Sequence, residues 1–299
     1  MEISAYHPFK SEKAQKQYWE IYDKRAQEVW PVDSESRMVD TSYGQTFVRI
    51  SGSNGASPLV LLPGSMGNSL CWMQNIKALS ASYKTYAVDN IYDFGRSVYT
   101  RSIAGPEDFV NWLNELFTAL ELGNNINLMG LSYGGWLTCQ YALHFQHRLN
   151  KIVLLAPAAT VLPLELKFLM RSIVFMTIPL RFIAKNYFNW VFKDFIRKDD
   201  ASRKSLDSAI DEILWGIRCF KAKRMISPTV LLDKELQSIK VPSLYLVGEN
   251  EKIYSAPKAV ERLNKIAPHI KTNVIPNAGH DLWIVQADTV NRKVLEFLK

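Results

Sequence analysis

The sequence is poor in cysteine and carries no long uncharged apolar run. Its 299 residues include three cysteines, Cys71, Cys139 and Cys219, which lie far apart and match no zinc or redox spacing. Three thiols cannot all pair, which suits a reducing compartment, and we expect them to be small buried apolar residues. The longest apolar stretch, residues 161–184, is interrupted by charged residues and two prolines. A membrane-spanning helix needs about 20 predominantly apolar residues, so we expect no stable membrane insertion.

The N-terminus lacks the features of a secretory signal. Residues 1–8, MEISAYHP, contain no basic region followed by an apolar run. A cleaved signal peptide requires both features. We therefore expect a cytoplasmic protein.

The positive charge of the chain is not concentrated in one place. Thirty-six Lys and Arg residues against 29 Asp and Glu residues give a net charge of +7 at pH 7. Proteins that bind nucleic acid concentrate basic residues in a stripe, often interleaved with aromatic residues. The densest basic stretch here, residues 193–224, is interrupted by six acidic residues. We therefore expect a mixed solvated face and no nucleic-acid partner.

Short apolar runs alternate with helical patterns along most of the chain. The predicted strands are residues 46–51, 59–62, 85–88, 126–129, 151–155, 243–247 and 272–275. The predicted helices are residues 13–30, 70–79, 106–122, 134–145, 256–267 and 283–298. Strand and helix in succession imply a parallel sheet with helices on both faces, which is the α/β class. With 47% apolar residues, the chain can fill a large core.

The alternation stops between residues 158 and 237. This segment has one helical pattern after another and is rich in Leu, Ile, Met, Phe and Trp. We predict that residues 158–237 form a helical cap inserted into a core built from residues 1–157 and 238–299. The N-terminal helix at about residues 13–30 is expected to lie over that core.

A serine between two glycines follows the predicted strand at residues 126–129. The segment Gly130-Leu131-Ser132-Tyr133-Gly134 matches the pattern Gly-x-Ser-x-Gly, which places a nucleophilic serine on a strained turn between a strand and a helix. The flanking glycines let the backbone turn sharply and let the helix pack close. The alternative is an ordinary glycine-rich turn, but the strand before and the helix after favour Ser132 as a nucleophile.

A serine nucleophile needs a base, and the sequence offers five histidines. His280 differs from the others because Asn277-Ala278-Gly279-His280 follows the last predicted strand. It therefore falls at the carboxyl edge of the sheet, where Ser132 also lies. The alternative for His280 is a capping or loop role.

The base in turn needs a carboxylate that orients it and stabilises its positive charge. For this chain order the acid lies between the serine and the histidine. Strand 243–247 ends in Gly248-Glu249-Asn250-Glu251, and by position alone either glutamate could serve. Neighbouring turn residues point in different directions, so the two are not expected to share the role.

Acyl transfer also requires donors aimed at the developing oxyanion. The backbone N–H of Tyr133, directly after the serine, should supply one. The other should come from the loop at residues 63–69, where we favour the N–H of Ser65 with Met66 as the alternative. The simpler interpretation of this loop is a tight turn followed by a helix cap at Asn68 or Ser69.

These segments together resemble the α/β-hydrolase superfamily over nearly the whole chain. The motifs that carry the resemblance are Leu61-Leu62-Pro63-Gly64-Ser65, the serine turn with Gly135 following it, Asn277-Ala278-Gly279-His280, and the loop from Asp89 to Ser97. More narrowly, Trp30-Pro31, Tyr43-Gly44-Gln45-Thr46, Tyr86-Ala87-Val88-Asp89 and residues 248–254 look like bacterial carboxylesterases of the NP (naproxen esterase) type.

The resemblance implies a mostly parallel eight-stranded sheet with the cap inserted after the sixth strand. The family's acid is the fourth residue of Gly-x-x-Asp, which corresponds to Glu251 here, so Glu replaces Asp. Pro63 stands where the family usually has His before Gly, and its fixed φ must hold the oxyanion loop instead. The family chemistry needs no metal or cofactor.

The resulting prediction is a serine carboxylesterase acting on small hydrophobic esters through Ser132, His280 and Glu251, as a monomer or homodimer. Two alternatives stay open. The same triad could cleave carbon–carbon bonds, since the fold supports both reactions. The protein could instead be a ligand-sensing member that signals through cap movement. We expect the pocket wall to come from the cap, from Phe168, Met170, Phe175, Met176, Phe188, Trp190 and Trp215.

Overall fold

A single sheet of nine strands organises the protein, whose computed structural model describes residues 7–299. Residues 1–6, on which most of the signal-peptide prediction rests, lie outside the described residues. The strands are β1 Glu35–Thr41, β2 Gly44–Ser51, β3 Pro58–Leu62, β4 Lys84–Val88, β5 Val98–Tyr99, β6 Ile126–Leu131, β7 Leu149–Leu155, β8 Ser243–Gly248 and β9 Ile270–Ile275.

Eight of these strands follow the order β1-β2-β4-β3-β6-β7-β8-β9, and the two residues of β5 pair beside them with β2. From β4 to β9 all neighbours are parallel, whereas β1 and β2 are antiparallel. β6 and β8 are buried along their whole length. Strands with helices on both faces are expected to be mostly apolar, and β6 and β8 are apolar apart from Asn127 and Ser243. The predicted mostly parallel α/β sheet with eight principal strands is confirmed.

Strand β1 has no counterpart among the predicted strands. Its sequence, ESRMVDT, is mostly polar and exposed, and only Val39 is buried. An edge strand of this kind pairs on one side only, here with β2. It therefore lacks the apolar run by which the central strands are recognised.

Within residues 7–299, twelve α-helices cover the sheet or form the cap. They are α1 Glu12–Val29, α2 Ile76–Ser80, α3 Pro106–Ala119, α4 Tyr133–Phe145, α5 Leu166–Thr177, α6 Arg181–Val191, α7 Lys193–Lys198, α8 Asp200–Cys219, α9 Asp233–Ser238, α10 Ala256–Ile266, α11 Leu282–Val285 and α12 Ala287–Leu298. Local signals fix several starts: the Ser11 side chain caps α1, and Pro106 with two acidic residues opens α3. Among the described residues no helix is both long and apolar enough to cross a membrane.

Two predicted helices are each divided in the structure. The segment predicted as a helix over residues 70–79 is a short 3-10 turn followed by α2, and the segment over residues 283–298 is divided into α11 and α12. The buried amide of Asn75 donates to the backbone oxygen of Trp283 and to the side chain of Asn291. This contact ties the turn before α2 to both α11 and α12.

Helices α5 to α9 lie between β7 and β8, and β7 is the sixth strand of the eight-strand path. We call residues 158–237 the cap; its limits stay a prediction. Helices α5, α6, α7 and α8 share an apolar core that includes Phe175, Phe188 and Ile210. The stretch from Lys221 to Leu232 is not helical, and it begins where Phe220 pairs with Phe9 of the N-terminal segment.

Candidate active site

Ser132 lies on a strained turn between β6 and α4. Its φ of +51° is in the left-handed region, which costs energy for a residue with a side chain. The turn is held because the Ser132 N–H donates to the Leu155 oxygen at 2.8 Å and the Ser132 oxygen accepts from Ala158 at 3.0 Å. The strain aims the Ser132 hydroxyl away from the sheet and into the cavity under the cap.

The two flanking glycines permit this turn by close approach. A Cβ on Gly130 would lie 2.2 Å from the oxygen of Gly134, and a Cβ on Gly134 would lie 2.3 Å from the oxygen of Leu62. Both distances are shorter than any real contact of a Cβ atom. The positions of the glycines in the motif therefore have a direct steric reason.

His280 and Glu251 meet Ser132 at the carboxyl ends of the parallel strands. The Nε2 atom of His280 is 3.0 Å from the Ser132 Oγ, and its Nδ1 atom is 3.0 Å from the Glu251 Oε2. Because the carboxylate can only accept, Nδ1–H donates to it, and Nε2 is left to accept from the hydroxyl. The three side chains thus form a continuous hydrogen-bonded chain from carboxylate to serine.

Glu251 is held in place by its own turn. Its side chain is completely buried, and the second carboxylate oxygen, Oε1, accepts from the backbone N–H groups of Lys252 at 2.7 Å and Ile253 at 3.0 Å. Both oxygens of the carboxylate are therefore used, one to fix the side chain and one to contact His280.

Glu249, the other glutamate of this turn, points elsewhere. It is exposed, and its carboxylate accepts from the backbone N–H of Asn277 at 3.2 Å. Of the two glutamates, only Glu251 contacts His280. Chain position left both glutamates possible as the partner of His280, and the direction of the side chain distinguishes them.

The surroundings of His280 act on its pKa in opposite directions. Burial disfavours the charged imidazolium, but the adjacent Glu251 carboxylate, through its charge and its hydrogen bond, and the charge of Asp281 favour it. The net effect is a raised pKa for His280. A raised pKa makes the imidazole a stronger proton acceptor at the Ser132 hydroxyl.

Asp281 connects the histidine loop to the cap. Its carboxylate accepts from the backbone N–H of Phe195 in α7 at 2.8 Å and from Gly279 at 2.9 Å. Burial raises the pKa of Asp281 to about 6, although these two donors favour the carboxylate. Sequence reasoning missed this residue, because its partner is 86 positions away along the chain.

Among the backbone N–H groups predicted to bind the oxyanion, some already donate a hydrogen bond within the protein and others do not. Ser65 lines the same cavity as Ser132 and His280, and no hydrogen-bond partner is found for the N–H of Ser65 or of Tyr133 within residues 7–299. The N–H of Met66 donates to the Asp93 Oδ2 at 2.9 Å. Since the Met66 N–H is occupied, this geometry favours Ser65 over Met66 as the second donor.

Two aspartates after β4 hold the loop that carries Ser65. Asp93 accepts from Met66, and Asp89 accepts from the Ser69 N–H at 2.7 Å and from the Tyr22 hydroxyl at 3.2 Å. Burial raises the pKa of Asp93, opposed by the nearby Lys223 charge and by two backbone donors. The sequence contained a signal for Asp93, its place in the motif after β4, but gave no indication of its partner.

Between the core and the cap lies a cavity of about 1030 Å³, including its open mouth, which contains Ser132 and His280. Its wall is mostly apolar. Side chains from the cap helices face the core residues across it: Phe168, Tyr187, Phe188, Val191, Phe192, Phe195, Leu206, Ile210 and Ile213. The site is thus an apolar chamber with few polar groups, concentrated at the serine.

The predicted pocket wall was right for only two of its seven residues, Phe168 and Phe188. Phe175 is buried inside the cap, Trp215 packs near the N-terminal segment, and Trp190 does not line the cavity. Met170 and Met176 face outward and are exposed. The prediction failed because the cap is apolar on more than one side, so that composition did not identify the inward side.

The cysteines are free, and Cys71 lines the cavity. Burial raises the pKa of Cys71 well above its usual range and that of Cys139 to about 12, so both are neutral thiols at pH 7. Within residues 7–299, no group of three or more His, Cys, Asp or Glu side chains is arranged to hold a metal ion.

The sequence of this chain is similar to those of known proteins. A model of the alpha/beta hydrolase family matches residues 59–293. A Bacillus subtilis protein called uncharacterized carboxylesterase nap is 33% identical over 293 residues, covering 94% of this chain and 91% of that protein. Carboxylesterase YbfK, from the same species, is 31% identical over 290 residues and covers 94% and 93% of the two chains.

A solved structure agrees with these sequence matches. The crystal structure of naproxen esterase (carboxylesterase NP) from Bacillus subtilis superposes with a TM-score of 0.87 at 31% identity. The superposition covers 100% of both chains. The likeness therefore includes the cap as well as the sheet.

Proposed function

The chain belongs to the alpha/beta hydrolase family, and from that premise we propose that it is a carboxylic-ester hydrolase that acts on hydrophobic esters through Ser132, His280 and Glu251. The enzyme class is the one shared with its full-length carboxylesterase relatives. The observation that supports the catalytic assignment is the hydrogen-bonded chain from Glu251 through His280 to Ser132.

The first half of the proposed reaction forms an acyl-enzyme. The Ser132 oxygen attacks the ester carbonyl carbon while its proton passes to Nε2 of His280. The Glu251 carboxylate stabilises the resulting imidazolium through Nδ1–H. As the tetrahedral intermediate collapses, the carbon–oxygen bond to the alcohol breaks and His280 returns the proton to the leaving alcohol oxygen.

The second half of the reaction releases the acid. A water molecule gives a proton to His280 and attacks the acyl carbon, and the bond to Ser132 then breaks as the serine regains its proton. In both halves the negative charge develops on the former carbonyl oxygen. The N–H groups of Tyr133 and Ser65 are the donors that we assign to it.

The cavity supports the assignment of a hydrophobic substrate. An ester held there would place its carbonyl near Ser132 and its apolar parts against side chains such as Phe188, Leu206 and Ile213. Burying apolar groups against this wall is favourable by about 25 cal/mol for each Å² removed from water. Charged acyl groups would find few partners away from the serine.

The decisive experiment measures hydrolysis of p-nitrophenyl butyrate by the wild type, Ser132→Ala and the control Ser208→Ala, whose side chain is exposed on α8. We expect Ser132→Ala to lose on the order of 10⁶-fold in kcat, as a serine hydrolase does when its nucleophile is removed, and the control to keep its rate. A fluorophosphonate should label Ser132 in the wild type and in Ser208→Ala, and it should not label Ser132→Ala.

Two results would contradict the proposal. Absence of ester turnover together with absence of labelling would remove Ser132 as a nucleophile. Consumption of a ring-fission dienone much faster than of any simple ester would show carbon–carbon bond cleavage by the same triad instead.

A further inference from the structure

Helix α5 is apolar on two opposite sides. Phe168 and Phe175 point inward, to the cavity and the cap core respectively, whereas Leu166, Met170 and Ile173 project outward at helical spacing and are exposed. A helix that is apolar all round is normally covered all round. In the part of the chain that the structure describes, only the inner side of α5 is covered.

The outward apolar residues are concentrated in one hairpin. Of the thirteen large apolar side chains that are exposed within residues 7–299, nine fall in residues 166–182, which span α5 and the start of α6. We call the outward side of these residues the outer cap face. Six of its side chains are at least half exposed: Leu166, Met170, Ile173, Val174, Leu180 and Phe182. Exposed apolar residues are normally scattered, and a concentration of this kind indicates an interaction surface.

The charges on the helices that carry this face are mostly positive. Residues 158–192 contain four basic residues and one acidic residue, Glu165. Arg181 and Lys185 are paired with aspartates of α8. Lys167 and Arg171 lie over the ring of Trp190, and no carboxylate lies within ion-pair distance of either in the part of the chain that the structure describes. The outer cap face is therefore an apolar surface beside uncompensated positive charge.

Charge decides between the two occupants that an apolar face could have. A symmetric dimer brings the same patch of both copies together, so Lys167 and Arg171 of one copy would lie close to those of the other. An anionic lipid surface instead offers apolar chains to the exposed side chains and phosphates to the basic ones. With a net charge of +7, the whole protein is also attracted to such a surface.

We propose that the outer cap face docks on an anionic lipid surface. The docking is peripheral, because α5 has 12 residues and α6 has 11, far too few to span a bilayer. Apolar side chains from Leu166 to Phe182 enter the lipid surface, and Lys167 and Arg171 contact its headgroups.

Docking has a consequence for the active site, which rests on the proposed function. The helices that carry the outer cap face also form the cavity wall, through Phe168, Tyr187 and Phe188. A docked protein holds this wall against the lipid, where hydrophobic esters concentrate. Such an enzyme hydrolyses lipid-held esters more efficiently when it is docked than when it is not.

The test measures co-sedimentation of Ser132→Ala protein with vesicles of pure phosphatidylcholine and with vesicles in which the anionic lipid phosphatidylglycerol replaces about a third of it, so that their surface is negatively charged. Two triple variants are compared in this background. Met170→Ser/Ile173→Ser/Phe182→Ser removes the face, and Met38→Ser/Met225→Ser/Val274→Ser removes three exposed apolar residues elsewhere. A third variant, Lys167→Gln/Arg171→Gln, removes only charge. Thermal unfolding checks that each variant is folded.

We expect binding to the anionic vesicles that weakens with added salt, a loss of about tenfold or more in the face variant, and no loss in the matched control. The charge variant should bind the anionic vesicles more weakly and with less dependence on salt. In protein that keeps the native Ser132, the face variant should hydrolyse a soluble ester at the normal rate and a vesicle-held ester slowly.

Two binding results would overturn docking: the parent protein does not bind anionic vesicles, or the face variant and the matched control bind them equally. A third result would be a parent protein that self-associates and binds no vesicles, with self-association lost in the face variant and kept in the control. The last would assign the face to a second copy of the chain. If no protein hydrolysed either ester, the proposed function would fall, and vesicle binding alone would still decide the docking.

Discussion

Glu249 and Glu251 are two positions apart in one turn, yet their carboxylates lie in different surroundings. The Glu251 side chain is buried and contacts His280, whereas Glu249 is exposed and caps the backbone at Asn277. Only one residue separates Glu249 from Glu251, yet their side chains point in different directions. At this scale a catalytic role depends on direction and burial more than on position.

We predict that Glu251→Gln lowers kcat for p-nitrophenyl butyrate by about 10²- to 10⁴-fold, since the amide cannot stabilise the imidazolium and favours the wrong tautomer. Glu249→Gln is the matched control and should keep the wild-type rate. Steady-state kinetics on both variants decide the point. Equal losses in the two, or a larger loss in Glu249→Gln, would assign the acid to Glu249 or to neither.

The pH dependence of the reaction should report the environment of His280. The base must be neutral, so kcat/KM falls as the pH drops through the pKa of His280. Burial lowers the pKa of His280, but Glu251 and Asp281 together raise it by more. The net pKa therefore lies above the ordinary value of 6.5. We expect the acid limb of the wild type above pH 6.5.

In Glu251→Gln the residual activity should show that limb moved to lower pH, because the largest raising contribution is gone. The control Glu249→Gln should keep the limb in place. A limb that does not move in Glu251→Gln would show that another group controls the profile.

At the scale of elements, the loop after β3 depends on the loop after β4. Residues 63–68 form no helix or strand beyond a turn at Ser65 and Met66, and Met66 adopts a φ of +59°. The carboxylates of Asp93 and Asp89 fix the two ends of this strained segment. The Ser65 N–H is therefore positioned by residues that do not touch the cavity.

We predict that Asp93→Asn lowers kcat by about tenfold or more with little change in KM, since the amide cannot accept from both Met66 and Phe94 and the loop loosens. Asp40→Asn, on the exposed edge strand β1, is the control. Kinetics with thermal unfolding on the same samples separate the cases. A fall in kcat explained entirely by unfolding, or a change confined to KM, would count against a role in positioning the oxyanion loop.

At the scale of the whole molecule, an aromatic cluster joins three distant parts of the chain. The ring of Phe220, at the end of the cap helix α8, lies 4.2 Å from Phe9, 5.0 Å from Tyr18 of α1 and 5.0 Å from Phe94 of the loop after β4. The N-terminal segment, the cap and the sheet are thus packed on one another at one point. The cap is anchored here and, through Asp281, at the histidine loop.

We predict that Phe220→Ala lowers the free energy of unfolding by about 3–5 kcal/mol, because it leaves a cavity among buried rings. Phe182→Ala, which truncates a ring that is 70% exposed, should change it by less than about 0.5 kcal/mol. Urea unfolding followed by tryptophan fluorescence measures both. A loss below 1 kcal/mol (roughly the average for any substitution) in Phe220→Ala would show that the cap and the N-terminal segment are held independently.

The sequence by itself determined the elements whose signals are local. The central parallel strands contain short apolar runs, the turn at Ser132 needs glycines at two fixed positions, and His280 follows the last strand. Each of these follows from the covalent geometry or the burial of a short segment. The order of strand and helix then predicted the sheet and put Ser132 and His280 at the same edge.

Only the tertiary structure decided which way side chains point and which distant residues meet. Glu251 rather than Glu249 reaches His280, Asp93 occupies the Met66 N–H, and Asn75 ties the turn before α2 to α11 and α12. The composition of the cap did not indicate which side of its helices faces inward, so most of the predicted cavity-lining residues were wrong. A hydrogen bond or a packed ring between positions far apart depends on the whole fold, because no local pattern encodes the distance between them.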